Sequence, residues 1–381
     1  MRVCISLRCS IGNNLWEDNL RSEPRWERLV LEACISNPEV TEIYTTGYEW
    51  PNGRLATEKY RGLIKSFSPH DCILLIQDWN ASIITSHPFR AVIVNIFHGP
   101  WMEQIEEVKQ TTAKLGNNIF FVIGHSVLYS EEKNPTPPLP GEAFNMRGRG
   151  NPKHSHLKNF TTMERLFYLP LPWIPQSYYE DRFFNKVLLF SQRLIFVHQL
   201  TNSTIIKWAM NKMQKNPELK LKILTGWCPG EPKDHINNVT FFLKEDINDY
   251  FWKLDELQPY LNIKDRVKIH LGIDWSDILR ICSISKLYIT HEKHYGGPPM
   301  EAGMFGIPFI GTGSWGALAD CPDYIYTPCD KEACTILDRL MTDHDYYNKI
   351  ALSYNKYAVE TYSFDTFNKN MNTILRSQGI I

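Results

Sequence analysis

The sequence lacks the short motifs that identify several large classes of enzyme. No Gly-x-Gly-x-x-Gly follows the predicted first strand at residues 3–7, so the dinucleotide-binding fingerprint is missing. A Walker loop, a Gly-x-Ser-x-Gly turn and a Cys-x-x-Cys pair are missing as well. These absences disfavour a nicotinamide dehydrogenase and give no support to P-loop, serine-hydrolase or dithiol chemistry.

The sequence also lacks an excess of charge of either sign. The 41 basic and 42 acidic residues give a net charge of −1, so nothing indicates binding to nucleic acid through long-range charge. No stretch approaches the roughly 20 apolar residues that a membrane helix needs. The N-terminus enters a strand directly, without the apolar run of a signal peptide. We therefore expect a cytoplasmic protein with no membrane span and no nucleic-acid partner.

Cysteine usage gives no sign of a disulfide framework or of a metal site. The nine cysteines are odd in number and scattered, and several, such as Cys72, lie in apolar strand-like surroundings. This pattern is typical of reduced, buried thiols in a cytosolic protein. His154 and His156 form a pair without a third ligand at a clear spacing, so no metal is predicted.

The length and apolar content predict two domains. A chain of 381 residues exceeds the size at which one hydrophobic core usually keeps growing. Apolar residues make up 43% of the chain and aromatic residues 13%, which is enough for two cores.

Short Val- and Ile-rich runs alternate with helical patterns in both halves, as in doubly wound parallel sheets. The predicted strands are 3–7, 42–45, 73–76, 92–97 and 119–123, then 186–190, 220–225, 266–271, 287–290 and 309–310. Predicted helices are 23–36, 204–215, 275–282 and 343–362, with Asp365 capping a last helix to residue 376. The Pro- and Gly-rich residues 130–156 predict a long loop. The fold class is α/β, with two Rossmann-like domains facing a cleft.

Residues 291–310 predict a strand end, a glycine loop, a short helix and a second strand. Gly296 and Gly297 permit backbone shapes that other residues resist, and the prolines that follow suit the first turn of a helix. Gly306 fits the C-terminal cap. Such a loop places free amides and the positive end of a helix dipole at the carboxyl edge of the sheet, where a phosphate is held. Glu301, one turn into the helix, is in reach of a ribose hydroxyl.

The stretch 295–302, followed by Gly306 and Pro308, resembles the nucleotide-sugar signature of retaining glycosyltransferases with the GT-B fold, of the family 4 (glycosyl transferases group 1) type. That signature has two glutamates separated by seven residues. Glu301 matches the second glutamate. Lys293 takes the place of the first, while Glu292 lies one residue too early. Which of these two side chains replaces the first glutamate stays open.

The resemblance implies an architecture and a reaction. Residues 1–178 are expected to form the acceptor-side domain, 179–362 the nucleotide-sugar domain, and 363–381 a helix that crosses back to the first domain. The implied reaction moves a sugar from a nucleoside diphosphate to a hydroxyl of a glycan or other acceptor, with retained configuration. It requires neither a cofactor nor a metal, because cationic side chains and a helix dipole stabilise the leaving group.

The resemblance also implies roles for individual residues. Arg193 is expected to follow the first strand of the second domain and to grip the diphosphate, with His198 where the family has a lysine. His98, Arg193 and Lys293 are the implied catalytic residues. The implied nucleotide and phosphate ligands are Arg193, Gly226, Leu271, Gly296, Gly297 and Glu301. Contacts to the sugar or the acceptor are assigned to Glu292, His294, Tyr295 and Trp101.

Two other functions fit the same pattern. Nucleotide-sugar 2-epimerases share the fold and alter the donor without any acceptor. A non-catalytic protein that binds a sugar nucleotide or a glycan is the second alternative, and the missing first glutamate favours it.

Overall fold

A computed structural model of the chain describes residues 1–7, 24–47, 72–77, 80–85, 88–95, 107, 110–111, 113–114, 118–123, 166–170, 172–173, 191–198, 203–225, 251–253, 255–271, 275–290, 297–312, 321–327 and 330–381. The chain divides into two compact units. Unit 1 contains Met1–Gln176 and Glu360–Ile381, and unit 2 contains Ser177–Val359. The sequence placed these boundaries after residues 178 and 362.

Unit 1 is built on a parallel sheet of six strands in the order β2-β1-β3-β4-β5-β6. The strands are β1 (Arg2–Leu7), β2 (Glu42–Gly47), β3 (Cys72–Gln77), β4 (Ala91–Asn95), β5 (Ile119–Ile123) and β6 (Leu166–Tyr168). Residues 72–76 of β3 and all five residues of β4 are buried, which explains why these strands are continuous apolar runs rather than alternating ones.

Unit 1 has two helices between its first four strands. Helix α1 (Pro24–Ser36) connects β1 to β2 and buries Leu29, Val30 and Ala33. The short helix α2 (Ala81–Ile84) follows β3, and the side chain of Asn80 caps it by accepting a hydrogen bond from the Ile83 amide.

Unit 2 is built on a second parallel sheet of six strands, in the order β12-β11-β10-β7-β8-β9. Its strands are β7 (Leu194–His198), β8 (Lys220–Thr225), β9 (Val267–Leu271), β10 (Ser285–Thr290), β11 (Phe309–Thr312) and β12 (Tyr326–Thr327). Its helices are α3 (Ser203–Lys215), α4 (Trp275–Ser283), α5 (Gly297–Met304), α6 (Asp330–Thr342) and α7 (His344–Tyr362), with a 3-10 helix at Asp255–Arg266.

The last helix, α8 (Phe364–Ser377), belongs to unit 1, as the sequence predicted. It packs on α1. The Asn368 side chain donates to the Ala33 carbonyl at 2.8 Å. The side-chain amide of Asn37 donates to the side-chain oxygen of Asn372 at 3.2 Å. Phe367 is 2% exposed beside these polar contacts. Helix α8 therefore contributes both buried apolar side chains and hydrogen bonds to unit 1.

Several details differ from the sequence prediction. Ser363 caps α8 by accepting a hydrogen bond from the Thr366 amide at 3.2 Å, so the predicted cap at Asp365 is wrong; Asp365 lies in the first turn. Strands β6, β7 and β12, the 3-10 helix and α6 were not predicted. The predicted strand at 186–190 and the predicted loop at 130–156 lie outside the described residues.

The described cysteines are free thiols. Five of them are buried: Cys4, Cys34, Cys72, Cys282 and Cys321. Burial raises the pKa of the Cys34 thiol to about 12, so it stays protonated at neutral pH. Within the described ranges, none of the helices combines the length and the apolar character needed to cross a membrane.

The packing of α8 can be tested at Phe367. Because the ring is 2% exposed, Phe367→Ala should lower the free energy of unfolding by about 3–5 kcal/mol, as large-to-small core substitutions do. Chemical denaturation of the full chain measures the change. Lys369→Ala, on an exposed position of the same helix, is the control and should change stability by less than about 0.5 kcal/mol. Equal effects of the two substitutions would contradict the described packing.

Candidate functional site

The order of strands in unit 2 creates a switch point between β7 and β10. The chain leaves β7 toward β8 on one side and leaves β10 toward β11 on the other. These two strands pair in parallel, with Thr290 opposite His198 at their carboxyl ends. Since parallel crossovers are right-handed, the connections leave on opposite faces and open a crevice at this edge. Ligands of doubly wound sheets bind in such a crevice.

Helix α5 begins at this edge, at Gly297. The first four amides of a helix have no partner inside the helix. Two of the first four residues of α5 are Pro298 and Pro299, which have no amide hydrogen, so only Gly297 and Met300 have one to donate. Within the described residues, an anion at this end would therefore meet only the Gly297 and Met300 amides.

Glu301 lies in the second turn of α5 and is 1% exposed. It is four residues after Gly297, so the two residues share one face of the helix. Helical side chains lean toward the N-terminus, which directs this carboxylate toward the start of α5. Burying a carboxylate is costly unless hydrogen bonds or charges compensate for it. The burial of the Glu301 side chain is therefore a specific feature of the site.

The opposite end of α5 is closed by glycine and by a neighbouring helix. Gly306 has φ +64°, and the Ile307 amide donates to the Ala302 carbonyl at 2.8 Å, which is the hydrogen bond of a Schellman cap. The Asn355 side chain of α7 donates to the Met304 carbonyl at 2.8 Å. The predicted cap at Gly306 is confirmed. With its C-terminus fixed, α5 holds its N-terminus at the switch point.

An aromatic cluster joins the three strands at and beside the switch point. Tyr288 of β10 stacks against Phe196 of β7, with ring centroids 4.6 Å apart, and meets Phe309 of β11 edge-on at 5.6 Å. All three rings are buried. Aromatic contacts of this kind stabilise beyond the area they bury, so the three central strands are held in register directly below the crevice.

Comparison with solved structures agrees with this topology over the whole chain. Anabaena HepE in complex with UDP-glucose has 9% identity and a TM-score of 0.55, with 99% of this chain and 100% of that chain covered. The chain has the GT-B fold. Sucrose-phosphate synthase from Thermosynechococcus elongatus has 12% identity and a TM-score of 0.55, with 98% of each chain covered. S. aureus MnaA with UDP has 14% identity and a TM-score of 0.51, with 100% of this chain and 97% of that chain covered.

Comparison of the sequences alone finds no such likeness: no protein-family model matches the chain, and no curated protein is similar to it. At 9–14% identity, the likeness to the solved structures establishes the fold and nothing finer.

Within this GT-B fold, Arg193 lies at the wrong edge for its predicted role. It immediately precedes β7, so it is at the amino edge of the sheet, whereas α5 begins beyond the carboxyl edge. A strand of five residues separates the two edges by about 16 Å. The guanidinium bonds to Glu218 at 3.0 Å and to the Ser191 carbonyl. The predicted strand at 186–190, which Arg193 was expected to follow, lies outside the described residues, so that prediction is not tested. Because Arg193 precedes β7, we leave it out of the donor site proposed below.

The other predicted site residues are placed as follows. Leu271 ends β9 at the carboxyl edge, and Gly297 begins α5 at the same edge of the same sheet. Glu301 lies one turn further along α5. The remaining predicted residues lie outside the described residues: His98, Trp101, Gly226, Glu292, Lys293, His294, Tyr295 and Gly296. Among the residues that the structure does describe, no group of three His, Cys, Asp or Glu side chains is arranged to hold a metal.

Two residues that support the site were not predicted. Asn355 caps α5 from the buried face of α7, and a single asparagine among the aromatic and apolar residues of that face is a usable sequence signal. Tyr347, also on α7, donates from its hydroxyl to the Lys286 carbonyl at 2.8 Å. Nothing in the spacing of Tyr347 and Lys286 in the sequence indicates this hydrogen bond.

The Lys286 side chain has a lowered pKa. Burial, with Arg193 nearby, lowers it to about 8.

The cap of α5 can be tested with two glycines that share one backbone shape. Gly306→Ala should destabilise the protein by about 1–2 kcal/mol through its positive φ. The new Cβ would lie 3.4 Å from the Ala351 carbonyl oxygen and from the Asn355 Cβ, which is ordinary van der Waals contact, so the substitution adds no clash. Gly379→Ala is the matched control: its φ is +67° and no atom lies within 4 Å of the added Cβ. Thermal unfolding should show similar losses for the two variants; a much larger loss for Gly306→Ala would show that the packing around α5 is too close for a Cβ.

Proposed function

We propose that the protein is a glycosyltransferase that moves a sugar from a nucleoside-diphosphate sugar to a hydroxyl group of an acceptor, with retention of configuration. The observation that carries the proposal is the short helix α5, which begins at the switch point of unit 2 and has Glu301 buried one turn inside. This geometry suits a diphosphate at the helix start and a ribose within reach of the carboxylate.

The fold adds support from a different direction. The structures that resemble this chain over nearly its full length include HepE with UDP-glucose and MnaA with UDP. Fold alone does not determine function, so the proposal depends on the site. The match between Glu301 and the second glutamate of the glycosyltransferase signature joins the two lines of support.

In the proposed site, main-chain groups near Gly226 and Leu271 receive the base, and the Gly296 and Gly297 amides receive the diphosphate. Because Pro298 and Pro299 remove two helix donors, we assign part of the neutralisation of the leaving group to the Lys293 ammonium. Preorganised donors aimed at the departing phosphate stabilise an oxocarbenium-like transition state without a metal. In unit 1, the proposal assigns contacts to the sugar or the acceptor to His98 and Trp101.

Isothermal titration with a panel of nucleoside diphosphates tests the proposal and identifies the base. One nucleotide should bind, with the same affinity in EDTA and in magnesium. Glu301→Gln should weaken that binding about 10- to 100-fold, because a hydrogen bond to a charged group contributes about 1.5–3 kcal/mol. Glu332→Gln, an exposed glutamate of α6, is the matched control and should leave affinity unchanged.

The outcomes separate the possible functions. If no nucleoside diphosphate binds under either condition, the donor site is absent and the proposal fails. Binding without transfer or donor hydrolysis would instead indicate a non-catalytic binding protein. Formation of a new epimer when the sugar nucleotide is incubated alone, followed by NMR, would indicate a 2-epimerase.

The departure from the signature predicts a second result. If the Lys293 ammonium contacts the phosphate or the sugar, Lys293→Met should lower kcat/KM strongly and Glu292→Gln should not. If the shifted carboxylate is the functional group, the order reverses. Steady-state kinetics of the two variants with one donor decides between them. Should both be silent while Glu301→Gln is not, the position of the first glutamate has no role in this protein.

A further inference from the structure

A second group of charged residues lies on unit 2, on the side of the sheet that carries α4. We call it the basic strip and define it as Lys220 and Lys222 of β8, Lys268 and His270 of β9, and Arg280 of α4. The register of the two strands places Lys222 beside Lys268 and Leu224 beside His270, so their side chains share one face of the sheet. The alternate residues Leu221 and Ile223 face the other way and are buried in the core.

The lysines of the strip form no ion pair with a carboxylate of the described residues. Among the residues that the structure describes, no ion pair involves Lys220, Lys222 or Lys268. Arg280 is held by Asp277, with 2.6 Å between the guanidinium nitrogen and the carboxylate oxygen. Asp277 is thus already paired, and it lies among four cationic side chains. The chain as a whole has a net charge of −1, so this concentration of positive charge is local.

Partial burial and mutual repulsion act on the same groups. Burial lowers the pKa of Lys222, and Arg280 and Lys268 lower it further, while Asp277 opposes them. The pKa of His270 is also lowered, first by burial and then by Lys222, with Lys268 and Arg280 adding to the effect and Asp277 opposing it. Keeping a half-buried ammonium beside other cations is unfavourable unless an anion compensates for it.

His270 provides an observation that does not depend on charge. Its Nε2 atom is buried and has no hydrogen-bond partner. A neutral imidazole has one N–H donor and one acceptor nitrogen, and leaving a buried polar atom unpaired is costly. The imidazole lies on the same face as the lysines and is only partly buried as a whole, so a rotation of the ring would let Nε2 donate to an anionic oxygen on that face.

Protection of a sheet edge explains only part of the strip. Strand β9 is at the edge of the sheet, and exposed lysines such as Lys268 discourage the pairing of edge strands. Lys222 is on β8, an interior strand, and is half-buried rather than exposed. Neither its position nor the unpaired ring nitrogen of His270 is required for such protection.

We propose that the basic strip binds an anion of the phosphate class through the Lys222 and Lys268 ammonium groups and the His270 imidazole. Lysine acts as a point charge toward phosphate, and a tetrahedral anion has enough oxygens to accept from two ammonium groups and one ring N–H. Lys222 is the third residue of β8 and Lys268 the second of β9, whereas α5 begins beyond the carboxyl ends. The two lysines are therefore separate from the proposed donor site, although His270 directly precedes Leu271, and the strip does not rest on the proposed function.

The test follows the His270 ring by NMR in the full chain, with its signal assigned by comparison with His270→Gln. Inorganic phosphate should shift this signal saturably, while sodium chloride at equal ionic strength should not. The pKa of His270 should be higher in phosphate than in chloride, since a bound anion opposes the cations that lower it. In the double variant Lys222→Ala/Lys268→Ala the affinity for phosphate should fall about tenfold or more.

The matched control is Lys331→Ala/Lys356→Ala, which removes the same charge from exposed positions of α6 and α7 and should bind phosphate like the parent protein. Thermal unfolding of both double variants establishes that each is folded. A shift that does not saturate, or that persists unchanged in Lys222→Ala/Lys268→Ala, overturns the proposal.

Phosphate at this strip can come from a soluble phosphate ester or from a lipid head group. Sedimentation with phosphatidylcholine vesicles, with and without phosphatidic acid, distinguishes these sources. Binding to the vesicles that contain phosphatidic acid, lost in Lys222→Ala/Lys268→Ala, assigns the lipid head group. A saturable response to free phosphate without vesicle binding assigns a soluble phosphate compound. Absence of both responses rules out the site.

Discussion

The parallel pairing of β7 with β10 is the constraint on which the rest of unit 2 depends. It joins strands that are far apart in the sequence and puts Thr290 beside His198 at one edge. A slip of one residue would turn Tyr288 to the other face and separate it from Phe196. The aromatic contacts therefore specify the register as well as adding stability, and the register determines where the crevice lies and which helix begins there.

Helix α5 has too few residues to be stable by itself, so its structure comes from tertiary contacts. Those contacts are unequally distributed. Gly306 and Asn355 satisfy its C-terminal carbonyls, and Met300 and Ala302 are buried. The N-terminal amides receive no comparable cap from the described residues.

The sequence predicted the parts of the fold that depend on local pattern. Apolar runs marked β3, β5 and β8, and Gly306 marked the end of α5, because each of these signals lies within one element. Strand β7 was missed since the apolar run at 194–197 follows another at 187–190, and periodicity cannot decide which of them pairs with β10. Taking the earlier run as the strand placed Arg193 after a strand, whereas the structure places it before β7. Cross-strand neighbours such as Lys222 and Lys268 depend on register, which no single segment encodes.

The position of α8 has a consequence for how the molecule is made. Unit 1 is assembled from two segments of the chain, and all of unit 2 lies between them. During synthesis the first segment emerges from the ribosome long before the helix that covers α1. Its apolar surface around Leu29 and Ala33 stays uncovered by α8 while more than 180 residues of unit 2 are translated, at a rate of about 5–20 residues per second. For roughly ten to forty seconds the nascent unit 1 is thus incomplete, and a molecular chaperone has an exposed surface to recognise.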